Sequence, residues 1–156
     1  MGAYLDSSQG NLGERFGAFQ TLIASWDLPA AAETVREARE YVMESLSALP
    51  AIDSELAALV TSELVTNSVM HAATQLSVSL ERWQYMVKLV VEDFSFQIPK
   101  LTPLDVSLDT GRGMHIIEKF SDAWGYELTE HGKRVWASFK CEWFSSAQNR
   151  GLVQSP

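Results

Sequence analysis

Cysteine is almost missing. Cys141 stands alone in 156 residues, so no disulfide can close within the chain, and a reducing cytoplasm is the expected location. Long apolar runs are missing too. No stretch approaches the roughly eighteen apolar residues that a spanning helix needs, so no membrane segment is expected. Residues 1–17 carry Asp6, Glu14 and Arg15 and lack an apolar block behind a basic start, which is not the pattern of a secretory signal. Basic residues are few: 12 Lys and Arg against 20 Asp and Glu leave a net charge of −8, with no extended basic cluster. A nucleic acid is therefore not expected as a direct partner. That argument does not reach a single nucleotide, which local groups would hold. Internal repeats and low-complexity tracts are absent as well.

What is present suits one folded domain, since 46% of residues are apolar and 10% aromatic. Residues 1–17 read as a flexible leader, 18–144 as the folded domain and 145–156 as a flexible polar tail. Partial alternation predicts a strand over 18–27. After Pro29 a helix runs to residue 49, with Val35, Ala38, Val42 and Leu46 as its inner stripe and Pro50 as its stop. Asp53 is a good N-cap for a second helix, reaching about residue 73. Residues 76–83 alternate as a strand, and 86–93 read as a more buried one. A loop with two prolines covers 94–110, and a third helix starts near Gly113 and runs through Ile116, Ile117 and Phe120. Residues 123–129 and 133–143 form a closing hairpin turning at His131–Gly132. The implied class is an α/β (α+β) two-layer sandwich: a mixed, mostly antiparallel sheet with helices on one face.

Three clusters carry chemistry. On the second helix, at roughly 100° per residue, Glu63 and Asn67 fall within the arc of Leu56, Leu59, Val60, Leu64 and Met70. A carboxylate and an amide four residues apart then lie together, with His71 one turn on. Burying an idle carboxylate costs several kcal/mol. Either Glu63 pairs with a buried cation or the helix rolls to expose it, or the face lines a polar cavity. In that cavity an amide oxygen can hold a hard cation such as Mg²⁺, and the glutamate can act as general base. Asp93 ends an apolar strand, as an ordinary turn aspartate does or as an acceptor for an exocyclic amine. Finally, Thr110-Gly111-Arg112-Gly113-Met114 enters a helix. Its glycines allow close approach of a ligand, and a helix N-terminus presents N–H groups to phosphate. The pattern is neither a Walker loop nor a full dinucleotide fingerprint.

In order and spacing these clusters resemble the GHKL ATPase superfamily, and within it the bacterial, particularly actinobacterial, anti-sigma-factor serine kinases. Ser62-Glu-Leu-Val-Thr-Asn-Ser-Val-Met-His-Ala72 resembles the N box, and Val91-Glu-Asp-Phe-Ser-Phe-Gln-Ile-Pro99 stands at the G1 box. Thr110-Gly-Arg-Gly-Met-His-Ile-Ile117 resembles the G2 box, and Gly132-Lys-Arg-Val-Trp-Ala137 the last strand. The likeness covers about residues 18 to 143.

The resemblance implies a Bergerat-type fold that binds ATP with Mg²⁺. Glu63 would be the general base and Asn67 the Mg²⁺ ligand. His71, Asp93, Ser95, Pro99, Thr110, Gly111, Arg112, Gly113 and Met114 would join Asn67 around the nucleotide, Asp93 on the adenine amine and 99–110 as a lid. It also implies a homodimer that sequesters a sigma factor and phosphorylates a STAS-domain anti-anti-sigma factor. Two positions depart from the pattern: Ser95 replaces the usual G1 glycine, and Met70 stands where a basic residue is frequent. The competing readings are a binding module that sequesters its partner without chemistry, and a detached sensor-kinase catalytic domain. The short lid and the lack of dimerising helices count against the latter. His115 and His131 have no partners at metal-ligand spacing, so zinc is not expected, and Cys141 reads as a buried hydrophobe.

Overall fold

The computed structural model describes residues 3–6, 17–49, 51–101, 103 and 111–141. The expected strand, helix, helix, hairpin, helix, hairpin order is what forms. β2 (Phe19–Leu28) leads to α1 (Ala32–Leu46) and α2 (Ser54–His71). The hairpin of β3 (Leu76–Trp83) and β4 (Met86–Asp93) follows, then α3 (Gly113–Phe120) and the hairpin of β5 (Ala123–Leu128) and β6 (Lys133–Lys140). One strand was not foreseen. β1 (Ala3–Asp6) lies within the segment read as a flexible leader, and it pairs in parallel with β5. Its backbone supplies N–H and C=O partners to a strand edge that would otherwise be open. Residues 142 and 143, expected at the end of the last strand, lie outside the described residues, as does the tail beyond them.

The sheet has six strands in the order β1-β5-β6-β4-β3-β2, antiparallel except for the β1–β5 pair. Side chains alternate across it. Val87, Leu89 and Val91 of β4, Val78 and Leu80 of β3, and Val135, Ala137 and Phe139 of β6 share one core with Ala38 and Val42 of α1 and Val60 and Leu64 of α2. Met86, Val90, Ala123 and Trp136 form a smaller cluster on the opposite face. There the buried Lys88 ammonium lies 4.6 Å from the Trp136 ring centre and 3.7 Å from Glu127. Burial pushes its pKa down, and Glu127 and Glu81 pull against that shift.

α2 starts where Asp53 accepts from the N–H groups of Glu55 and Leu56 at 3.0 and 3.1 Å. Its buried set is Ala57, Ala58, Val60, Thr61, Leu64, Val65 and Ser68. That arc is centred roughly 120° round the helix from Leu56, so the expected apolar face is corrected. Met70 is 68% exposed, and Leu56 and Leu59 are half-buried. The helix is apolar nearly all round. Its small residues, Ala57, Ala58, Thr61 and Ser68, decide which side lies close against the sheet and α1.

α2 ends at Ala72, and Ala73 follows with a φ of 49°, a left-handed conformation that glycine adopts without its Cβ penalty. Ala73→Gly is expected to raise stability by about 0.5–1 kcal/mol. Urea unfolding checks this as a higher midpoint with an unchanged slope.

Candidate functional site

α2 and α3 meet at Gly113. A Cβ there would lie 2.7 Å from Glu63 Oε2 and 3.8 Å from Asn67 Oδ1. Only a glycine lets the first residue of α3 press so closely on the carboxylate and the amide. Asn67 donates through Nδ2 to Met114 Sδ at 3.6 Å, which leaves its oxygen on the Gly113 side. Glu63 is half-buried, and that burial raises its carboxyl above the ordinary value of 4.5. A raised carboxyl holds a proton more strongly once it has taken one, which suits a general base.

The N-cap residue Arg112 makes no side-chain capping bond at the start of α3, and backbone N–H groups and the positive end of the helix dipole lie at that terminus. Gly111, with a φ of 94°, turns the chain into it. Gly111 and Arg112 are exposed, Gly113 is half-buried and Met114 is buried. An anion placed there would meet N–H groups on one side and the Asn67 oxygen on the other. Two oxygen donors beside a phosphate site fit a hard divalent cation, with Asn67 as a natural ligand and Glu63 nearby. Among the described residues, no group of three or more His, Cys, Asp or Glu forms a metal cluster on its own.

Asp93 belongs to the same region through Ser68, the neighbour of Asn67. Ser68 Oγ donates to Asp93 Oδ2 at 2.6 Å. The Ser95 N–H donates to Oδ1 at 2.9 Å, and the Lys133 ammonium spans both oxygens at 2.9 and 3.0 Å. The carboxylate is 2% exposed, with Lys133 at 4%. Ser95, the departure from glycine, turns its Oγ to accept from the Gln97 N–H at 3.1 Å, so the side chain folds into its own loop. Pro99 is half-buried further along it. Beyond Gly132, whose missing Cβ would collide with the Asp93 carbonyl, the β5–β6 turn crosses close over the end of β4.

The structure thus brings together Glu63, Asn67, Gly113 and Met114, and joins Asp93 and Ser95 to them through Ser68. His71 is exposed on the last turn of α2. Thr110 lies outside the described residues, as does the expected lid except for residues 99–101 and 103. A cavity of about 300 Å³ touches Asp93, but Asp27, Ser77 and Glu92 in its lining alternate with the core-facing residues of their strands. It therefore opens on the other face of the sheet, away from Glu63 and Asn67. Two partners went unread: Ser68 and Lys133. Lys133 keeps phase with Val135, Ala137 and Phe139, a lysine in the apolar register of a strand. That was the available signal.

A glycine-led helix N-terminus facing a carboxylate and an amide, over a mostly antiparallel sheet, defines a GHKL-type nucleotide-binding domain. The chain belongs to the histidine kinase-like ATPase domain family, whose model matches residues 28–139. Membership carries ATP binding with it. No curated protein matches the chain, and no helix among the described residues is long and apolar enough to cross a membrane.

A carboxyl whose pKa is raised by folding costs stability once the pH climbs through its folded pKa, because the unfolded chain gives up the proton more readily. Glu63→Gln is therefore expected to raise the Tm at neutral pH. The gain should shrink as pH falls through the raised folded value and vanish below 4.5, where Glu63 is protonated in either state. Thermal unfolding across pH 4 to 8, a range of about four units around that window, measures it.

Proposed function

We propose that the chain is an ATP-binding anti-sigma factor with protein serine/threonine kinase activity, which phosphorylates a STAS-domain anti-anti-sigma factor and sequesters a sigma factor as a homodimer. One observation carries the catalytic part: the Glu63 carboxylate, raised by burial, stands beside Asn67 at the glycine-led start of α3. A domain that only bound its partner would not need a half-buried carboxylate against a phosphate-binding helix terminus. The N box, G1 and G2 resemblances support the partner classes.

In this reading the γ-phosphate lies at the N-terminus of α3, within reach of the backbone N–H groups from Gly111 to Gly113. Asn67 would hold Mg²⁺, which offsets charge on the phosphates. Glu63 accepts the proton of the incoming serine hydroxyl as its oxygen attacks the γ-phosphorus, and ADP leaves.

One observation favours the second reading, a regulatory module without chemistry. Every hydrogen-bonding direction of Asp93 is engaged inside the protein, so a base reaching it must displace a partner. Calorimetric titration with ATP, with and without Mg²⁺, separates the two at the first step. Labelled ATP with candidate STAS proteins separates them at the second. Glu63→Ala is expected to keep ATP affinity within about threefold and to lower phosphotransfer by about 10²–10⁴-fold. Undiminished transfer would remove Glu63 as the base. Asn67→Ala should abolish the Mg²⁺-dependent part of the affinity, and equal affinities with and without metal in the parent protein would end that assignment.

A further inference from the structure

Lys133 has no role in the chemistry above, yet it sits at the base end of the site. Asp93 and Lys133 are direct cross-strand partners on β4 and β6, and both side chains turn to the helix-facing side of the sheet. A lysine with 4% exposure in an otherwise apolar strand face needs a reason. A paired charge there is not a stabilising choice by itself, since two apolar side chains of similar volume often serve as well or better.

The geometry supplies that reason. Two of the three ammonium hydrogens are directed at the carboxylate, one to each oxygen. Ser68 and the Ser95 N–H take one further position on each oxygen. A carboxylate offers about four acceptor directions, so an exocyclic amine can bind Asp93 only by displacing a donor. Ser68 is fixed on α2 and the Ser95 N–H on the backbone. Lys133, on a flexible four-carbon stem, is the donor that can give way. If it swings off one oxygen, its freed N–H points beside the vacated acceptor. The site then presents an acceptor next to a cationic donor. On the Watson–Crick edge of adenine, the N6 amine is a donor and the adjacent N1 is an acceptor.

We propose that Lys133 is a base-reading residue: Asp93 accepts from the adenine N6 amine while the Lys133 ammonium donates to N1. This rests on the nucleotide reading above and adds to it the group that reads the ring nitrogen. Lys133 gives up one of its two Asp93 bonds to the base and keeps the other, so both charges remain paired throughout.

The probe is 1-deazaadenosine triphosphate, which keeps the 6-amine and replaces N1 by C–H. A buried ammonium facing C–H loses its partner, and a site built to hydrogen-bond one group discriminates strongly against an analogue lacking it. The parent protein is expected to bind ATP about tenfold or more tighter than the deaza analogue. Lys133→Met leaves Asp93 buried without its cation and would endanger the fold, so the variant of choice is Lys133→Met with Asp93→Asn. It keeps an acceptor for the amine and no buried charge. Its ATP preference should fall to within about twofold, with circular dichroism and thermal unfolding confirming the fold.

Equal binding of both nucleotides by the parent protein overturns the proposal, and this comparison decides even where the variant does not fold. A folded variant that keeps the full preference assigns N1 to some other group and also overturns it. If the parent protein binds neither nucleotide, the nucleotide reading itself falls and this inference goes with it.

Discussion

The buried carboxylate of Asp93 is the interaction on which the rest of the site depends. It fastens four parts of the chain at one point: β4 by its own backbone, β6 through Lys133, α2 through Ser68, and the loop after β4 through the Ser95 N–H. Removing one partner from such a pair leaves an uncompensated charge and typically costs about 3–5 kcal/mol. The cluster therefore sets how far α2 may slide along the sheet. Ser68 follows Asn67 directly and lies five residues beyond Glu63 in the sequence, so holding Ser68 fixes Asn67 and Glu63 as well. Gly132 works to the same end. With no Cβ, it lets the turn before Lys133 cross against the Asp93 backbone, and the lysine arrives in register.

Around that point the sheet needs little that is unusual. β3 and β4 pair without a register shift, and β4 and β6 continue in the same phase. Alternation then sends Val87, Leu89, Val91 and Asp93 to one side and Met86, Lys88, Val90 and Glu92 to the other. A slip of one residue would carry Asp93 to the wrong face and Lys88 into the main core. The apolar core and the Asp93 cluster are thus specified by one register, and on the core-facing side of β4 only the last residue differs in chemistry.

Most of this was legible in the residues, and the exceptions share a cause. Strand alternation in 76–83, the Asp53 cap and the His131–Gly132 turn are local signals, and each element stands within a few residues of its expected place. The buried side of α2 was not legible. Its apolar residues encircle the helix, so periodicity could not choose a face, and close packing through Ala57, Ala58, Thr61 and Ser68 made the choice. Glu63 and Asn67 accordingly flank the core. The competing expectation that the helix would roll to expose Glu63 is met only in part: the helix has rolled, but Glu63 stays half-buried because α3 closes on it. β1 was unreadable for a different reason: a short parallel edge strand depends on a partner far along the chain. Ser68 and Lys133 were hidden because a hydrogen-bond partner is a property of the register, and only the pairing of β4 with β6 brings a lysine opposite Asp93.

Gly113 links the two ends of the site. Its missing Cβ is what allows Glu63 Oε2 within 2.7 Å of that position, so the carboxylate is partly desolvated by the approach of α3 itself. The same approach brings the helix N-terminus to the place where a phosphate would lie. Desolvation of Glu63 and placement of that helix terminus are therefore one packing event. A motion that withdrew α3 would rehydrate Glu63, lower its pKa and carry the helix N-terminus away together. Met114 makes the reverse motion costly, because it is buried and accepts from Asn67. In the proposed mechanism helix α3 would therefore couple phosphate binding to the basicity of Glu63. Such chemistry would be tied to the packing of two helices, with Asp93 and its partners holding the second helix in place.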